Sequence, residues 1–306
     1  MQTSLSALEL FCGIGGFAAA VVEAPVRVVG AVDQNPAALS VYRLNFPKHA
    51  TFQTDLEKVT AVELAAFAAD LWWLSPPCQP YSVRGRQHDL DDPRARSLLR
   101  LIEVFPALPA NCRPRYLALE NVEGFARSRA RQVLCELLSG EGYQLRERRL
   151  CPTALVVPSR RPRYYLMASR DGFAPFSPPK ARSRRIQDYL ETELSDQLRE
   201  GLLVPKEAVA RFGAGFRLID PLDAEAYTTC FTAGYGRSLM HAGAYLQCEA
   251  GVRRFAPSEI ARLLHFPEQF HFPDQMSIRN QWKLLGNSLS VLAVKEILAG
   301  FPVKTL

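Results

Sequence analysis

A cysteine held among prolines is the residue in this chain best suited to nucleophilic chemistry. In Ser75-Pro76-Pro77-Cys78-Gln79-Pro80-Tyr81-Ser82 three prolines restrict the backbone around Cys78 and would hold its sulfur in place. Arg84 and Arg86 follow closely and would favour the thiolate. A free cysteine is otherwise most often a small buried hydrophobe, a role that a rigid polar loop serves poorly. The apolar run Tyr116-Leu117-Ala118-Leu119 ends in Glu120-Asn121-Val122, where the carboxylate by itself reads as a helix cap or a surface glutamate. Arg161 and Arg163 stand two residues apart, so a strand through both would point their guanidinium groups to one face, toward a carboxylate or a ligand. Phe11-Cys12-Gly13-Ile14-Gly15-Gly16 permits a tight turn and the close approach of a cofactor. Gly13, Gly15 and Ala18 also satisfy a G-x-G-x-x-A spacing, and Asp33 ends the next apolar run, where a carboxylate could hold ribose hydroxyls. That pattern fits a nicotinamide dehydrogenase, an S-adenosylmethionine enzyme or a purely structural turn. Near the end of the chain, Gly286-Asn287-Ser288 reads as a possible helix cap.

The elements that must position these residues alternate. Ala7 to Phe11, Arg27 to Asp33, Asp70 to Leu74, Tyr116 to Glu120 and Tyr164 to Ala168 read as strands. Asn35 caps a helix that carries Pro36 at its first position, and Thr60 and Glu63 have capping-box spacing for another. Strands alternating with helices predict an α/β fold with a mainly parallel sheet, whose carboxyl edge binds ligands. From about Asp171 to Arg254 the rhythm fails: Pro175, Pro178 and Pro179 interrupt it, and Lys180, Arg182, Arg184 and Arg185 form a basic cluster. That cluster reads as a solvated surface or as a phosphate contact. Helical periodicity returns after Pro257.

The 306 residues allow one large domain or two, and 48% hydrophobic with 22% charged residues argues against a disordered, collagen-like or coiled-coil chain. A net charge of +6 is compatible with a polyanionic partner. Neither a signal peptide nor a membrane span is visible, and seven cysteines without a C-x-x-C pair indicate neither a disulfide framework nor a zinc site. A cytoplasmic protein without a metal is expected.

The order of Phe11 to Gly16, Pro76-Pro77-Cys78-Gln79, Glu120-Asn121-Val122, Arg161-Pro162-Arg163 and Gly286-Asn287-Ser288 resembles that of the cytosine C5-methyltransferases, over nearly the whole chain. Thr229-Cys230-Phe231-Thr232 followed by Gly234-Tyr235-Gly236 is similar to the signature of the tRNA-methylating branch of that family, the second eukaryotic-type DNA-methyltransferase homologue. Asn45-Phe46-Pro47 and Arg84-Gly85-Arg86-Gln87 also resemble that branch, whereas Ser159-Arg160 stands where the branch usually has Asn-Ser, and has no assigned role.

The resemblance implies a Rossmann-like S-adenosylmethionine-dependent domain over 1–170, a small target-recognition domain over 171–254 and C-terminal helices over 255–306 that return to the catalytic domain. It implies that Cys78 attacks C6 of cytosine, that Glu120 holds the N3 and N4 edge with a carboxyl pKa raised by burial, and that Arg163, supported by Arg161, binds O2. Phe11, Gly13, Ile14, Gly15, Gly16, Asp33, Gln34, Asp55, Leu56, Pro76, Asn287 and Ser288 would hold S-adenosylmethionine. Arg84, Arg86, Cys230, Phe231 and Thr232 would meet nucleic acid. The implied substrate is an anticodon-loop cytosine of aspartate tRNA, with DNA as the alternative, and the expected enzyme is a monomer. An inactive RNA-binding module that keeps the cofactor site and a nicotinamide oxidoreductase are the readings from other classes.

Overall fold

The computed structural model describes residues 4–82, 88–175 and 184–302. The chain forms two compact units, one comprising Met1–Leu150, Pro162–Pro178 and Val294–Leu306, the other Cys151–Arg161 and Pro179–Ala293.

In the first unit β1 (Leu5–Leu10) leads through a glycine turn to α1 (Gly16–Val21), then β2 (Val26–Asp33), α2 (Pro36–Asn45), β3 (Thr51–Gln53), α3 (Ala61–Ala65) and β4 (Leu71–Leu74). After the cysteine loop come α4 (Arg96–Val104), β5 (Tyr116–Asn121), α5 (Arg129–Gly140), β6 (Gln144–Leu150) and β7 (Arg163–Ser169). The seven strands make one sheet in the order β3-β2-β1-β4-β5-β7-β6. Every residue of β1, β4 and β5 is buried, including Trp72 and Trp73, which is why these strands read as continuous apolar runs rather than alternating ones.

The expected caps are present: the Asn35 side chain accepts from the Ala37 and Ala38 amides, and Thr60 and Glu63 form a reciprocal capping box. The pairs from β3 through β5 are parallel, as expected of alternating strands and helices. β7 runs antiparallel to both β5 and β6. That reversal matters for the site, because the first residue of β7, not its last, lies at the carboxyl edge of the parallel strands.

The second unit holds α6 (Asp196–Leu202), α7 (Lys206–Phe212), β8 (Arg217–Ile219), β9 (Ala244–Cys248), β10 (Gly251–Arg254), α8 (Pro257–Leu263) and α9 (Ile278–Gly286). Its three strands form a sheet in the order β10-β9-β8. Phe231, Tyr235, Tyr245, Phe255 and Trp282 form its aromatic core, with ring centroids 5.0 to 5.8 Å apart. The chain re-enters the first unit within α10 (Val291–Leu298). Among the described residues no helix is long and apolar enough to cross a membrane.

Candidate active site

Strand order assembles the site. β1 and β4 are neighbours, with Leu10 opposite Leu74, so the glycine turn and the cysteine loop leave the same edge side by side. The Ser75 amide donates to the Leu10 carbonyl at 3.2 Å as they part. β5 lies on the other side of β4, with Leu119 opposite Leu74, and this register brings Glu120 and Asn121 to that edge.

Three residues of the glycine turn, Phe11, Gly13 and Gly15, have φ of 59°, 54° and 89°, and only glycine takes such values freely. A Cβ on Gly15 would lie 2.4 Å from Cε2 of Phe46, whereas one on Gly13 would meet nothing within 4 Å. The turn is thus packed on one side and leaves room at Gly13, as a cofactor cradle requires. Asp33 shapes it: Oδ2 accepts from the Gly13 amide and Oδ1 from the Asn35 amide, each at 2.8 Å. Burial pushes the Asp33 carboxyl up, against the amides of Asn35, Gly13 and Gln34.

Gln34 is exposed, and Asp55 lies in a local turn in which Oδ1 accepts from the Glu57 amide at 3.1 Å. Leu56 is buried in the core of the unit. These residues and Phe11 to Gly16 stand at or just beyond the ends of β1, β2 and β3, so the carboxyl edge can hold a nucleoside with the glycine turn beneath it.

Cys78 precedes a 3₁₀ turn, Gln79–Tyr81, whose Tyr81 amide donates to the Cys78 carbonyl at 3.1 Å. Upstream, the buried Pro76 carbonyl accepts from Nδ2 of Asn121 at 3.1 Å, and Oδ1 of Asn121 accepts from the Val122 amide at 2.9 Å. Asn121 is fully buried, so this one side chain ties the loop carrying the thiol to the strand carrying the carboxylate. Sequence reasoning gave it no role; an amide directly after a strand-terminal carboxylate was the available signal. Gly124 completes the junction, since a Cβ there would sit 2.1 Å from the Tyr81 carbonyl oxygen.

Arg84 and Arg86 lie outside the described residues. Among the described ones Arg94 is paired with Asp92. Its guanidinium is held above its ordinary value mainly by Asp92, which it meets at 2.6 Å, with the Cys78 sulfur adding to the effect. Glu120 and Arg163 meet at 3.0 Å between Oε1 and Nε, with both side chains mostly buried. A carboxyl and a guanidinium fixed together beside a thiol loop offer the donors and acceptors that the edge of a pyrimidine requires.

The shared face expected for Arg161 and Arg163 is not found, because β7 begins only at Arg163. Arg161 belongs to the second unit and is 4% exposed. Its Nη1 donates to Cys230 Sγ at 3.2 Å and to the Phe231 carbonyl at 3.1 Å, and its Nη2 to the carbonyls of Gly286, at 3.1 Å, and of Ser288. These acceptors lie partly at the C-terminal end of α9, whose dipole favours a cation. Arg161 therefore clamps the Thr229–Thr232 segment to the Gly286–Ser288 turn, and the sulfur of Cys230 is one of its acceptors. The Phe231 ring is 5% exposed within the aromatic core, so the surface expected for it is not where it lies. Thr232 Oγ1 accepts from the Gly234 amide at 3.3 Å and closes a loop. Gly286 ends α9, and of the next two residues Asn287 is exposed and Ser288 buried. Among the described residues no His, Cys, Asp and Glu cluster could hold a metal ion.

Known proteins resemble the chain over nearly its whole length. The family model described as C-5 cytosine-specific DNA methylase matches residues 5–301. The chain is 31% identical to the tRNA (cytosine(38)-C(5))-methyltransferase of Schizosaccharomyces pombe, with 96% of each covered. It is 29% identical to the Homo sapiens protein of the same name, over 96% of this chain and 98% of that one. The crystal structure of the S. pombe Dnmt2 methyltransferase superposes with a TM-score of 0.86 at 31% identity, covering 96% of this chain and 97% of that one. The C-5 cytosine methyltransferases use S-adenosylmethionine, and it is to this family, in its Dnmt2 branch, that the chain belongs.

Proposed function

We propose that the protein is a tRNA (cytosine-C5)-methyltransferase acting on an anticodon-loop cytosine of aspartate-type tRNA through a covalent bond between Cys78 Sγ and C6 of the base. The observation that carries this reading is the Glu120–Arg163 pair, 3.0 Å apart, beside a thiol loop that Asn121 fastens to the same strand end. Cytosine C5 is a weak nucleophile, and addition of a thiolate at C6 makes it enamine-like. Glu120 holds the N3 and N4 edge and delivers a proton as charge develops there, while Arg163 binds O2. Once C5 carries the methyl group, its proton passes to solvent water and the C–H electron pair re-forms the C5–C6 double bond as the C6–S bond breaks, which returns the Cys78 thiolate.

The bound cofactor supplies an electrophilic methyl group. Phe11, Gly13, Ile14, Gly15, Gly16, Asp33, Gln34, Asp55, Leu56 and Pro76 hold it at the sheet edge, and the resemblance assigns Asn287 and Ser288 to it as well. Target recognition falls to the segment 171–254. A base within a stack does not reach Cys78, so the target must be flipped out, and an unstacked anticodon loop lowers that cost.

The choice of RNA rests on the tRNA methyltransferases among the relatives. DNA is the second reading, supported by the description of the family model and by catalytic groups that are all assigned to the base, so that nothing in those motifs distinguishes ribose from deoxyribose. Labelled methyl transfer to total tRNA, with the modified position mapped to the anticodon loop, is the expected result; labelling of duplex DNA in preference would overturn it. Cys78→Ala is expected to abolish transfer while cofactor affinity changes little. A 5-fluorocytosine substrate should cross-link to Cys78 and to no other residue.

A further inference from the structure

Asn45-Phe46-Pro47 closes α2, and the glycine turn rests on the Phe46 ring. A Cβ on Gly15 would lie 2.4 Å from that ring and 3.1 Å from Cδ2 of Tyr42, one helical turn earlier. Both rings are buried, with centroids 5.2 Å apart. The turn is otherwise tied to itself and to β2: the Gly15 amide donates to the Cys12 carbonyl at 2.9 Å, and the Cys12 amide to the Val32 carbonyl at 3.0 Å. Contacts this close leave no slack, so a shift of Tyr42 or Phe46 is felt at Gly15.

A buried carboxyl holds Tyr42. Oε2 of Glu9, on β1, accepts from the Tyr42 hydroxyl at 2.9 Å, and that hydroxyl lies 3.1 Å from Nδ1 of His49, whose ring stacks on Phe46 at 5.6 Å. The hydroxyl has one proton to give. With Glu9 ionised it donates to Oε2 and accepts from His49 Nδ1; with Glu9 protonated the carboxyl donates and Tyr42 turns its proton to His49. The first arrangement is charge-assisted and grips Tyr42 harder. Burial raises the Glu9 carboxyl to about 8, against Tyr42 and the amides of Phe17 and Ala18 on α1, with Asp33 of β2 adding to the rise. Burial also keeps the Cys12 thiol and the Tyr42 phenol well above their ordinary values, so both stay protonated, although exposed Arg43 of α2 acts against the rise at Cys12. His49 is lowered from 6.5 by burial, and Asp33 is raised from 3.8 against three amides. On the other side β4 sets the buried Trp73 opposite Glu9.

We propose that Glu9 is a positioning residue for the cofactor: acting through Tyr42 and Phe46 it fixes the glycine turn, and the turn binds S-adenosylmethionine more tightly when Glu9 is ionised. The inference rests on the cofactor placement proposed above. Because the coupling is reciprocal, binding of the cofactor favours the ionised carboxyl and sends its proton to solvent. Affinity therefore rises with pH. The Asn45-Phe46-Pro47 segment gains a role as well, since Phe46 is the wedge between this buried group and the turn.

Calorimetric titration of the full chain with S-adenosylmethionine and with S-adenosylhomocysteine, from about pH 6 to about pH 9 and in buffers of different ionisation enthalpy, reads affinity and released protons together. For the wild type, affinity for both compounds is expected to rise about fivefold over that range, with a proton released on binding. Glu9→Gln keeps the shape of the side chain and cannot ionise; its affinity should stay near the low-pH value of the wild type, without that proton. The amino group of the cofactor titrates equally with both proteins, so the difference between them belongs to Glu9. Tyr42→Phe removes the hydroxyl that holds the carboxyl down, and should move the rise to higher pH. If the wild type and Glu9→Gln share one pH profile and one proton count, the inference is overturned. A rise confined to S-adenosylmethionine would also overturn it, because the carboxylate would then attract the sulfonium charge instead of shaping the turn. Should Glu9→Gln not fold, Tyr42→Phe decides, and a rise left in place refutes the coupling. Absence of binding by the wild type at every pH would instead refute the cofactor site itself.

Discussion

Glu9 carries a carboxyl into the core of the first unit. It sits on β1 with 1% exposure, its Oε2 accepts from the Tyr42 hydroxyl at 2.9 Å, and that hydroxyl also lies 3.1 Å from Nδ1 of His49. Burial pushes its carboxyl up from 4.5 to about 8, helped by the charge of Asp33 and opposed by Tyr42 and by the amides of Phe17 and Ala18. A folded-state value above the unfolded one means that the native state holds the extra proton. The contribution of Glu9 to stability is therefore complete below about pH 4.5 and is lost as pH rises toward 8. Burial lowers the His49 value from 6.5, so that residue works in the opposite direction as pH falls. Comparing wild type with Glu9→Gln isolates the carboxyl. Urea unfolding at pH 5 and pH 8 should show a steeper loss of stability in the wild type, by at most about 1.4 kcal/mol per pH unit. Equal pH slopes in the two proteins would mean that Glu9 does not titrate in this range. Sequence gave no warning of this group, because a glutamate in a strand normally faces water and only the packing of α1 and α2 encloses it.

At the scale of elements, what decides the site is how closely segments approach. A Cβ on Gly286 would lie 2.2 Å from the Thr232 carbonyl carbon and 2.3 Å from the Ala233 amide nitrogen, both backbone atoms that cannot swing aside. Gly286→Ala is thus expected to destabilise the second unit by about 3 kcal/mol or more, read as a lowered melting temperature or loss of soluble protein. An unchanged melting temperature would mean that the two segments are not in contact in solution. The capped helices and the apolar strands were readable from sequence because caps and continuous hydrophobic runs are local signals. β6 was not. Its sequence Gln144-Leu145-Arg146-Glu147-Arg148-Arg149-Leu150 is mostly charged, and it pairs on one side only, as an edge strand. Two of its charges are taken up across the fold, where Arg131 pairs with Glu147 and Arg148 with Glu296. Ionic pairing of this kind over long sequence separations leaves no periodic signature.

On the scale of the whole molecule, a formal charge of +6 and a pI of about 9.0 favour a polyanion. Methyl transfer to nucleic acid should accordingly slow as salt rises, with log(kcat/KM) falling linearly with log salt, while binding of the cofactor alone changes little. A rate on tRNA that does not respond between 50 and 200 mM salt, concentrations across which phosphate-contacting proteins lose much of their affinity, would count against a substrate bound through its backbone. The strand order serves the same end. By setting β4 between β1 and β5 it delivers the glycine turn, the thiol and the carboxylate to one edge, and the reversal of β7 brings Arg163 there from the far end of its strand.

The sequence by itself determined the chemistry on offer: a proline-bounded thiol, a strand-terminal carboxylate, a glycine turn and an arginine pair, each a local pattern with a local physical cause. Only the tertiary structure decided how these are used. It divided the arginine pair between a carboxylate and four acceptors in the second unit, turned the Phe231 ring into a core and set Asn121 to hold the cysteine loop. Hydrogen bonds between residues 45 to 127 positions apart depend on which strands become neighbours, and spacing along the chain does not encode that.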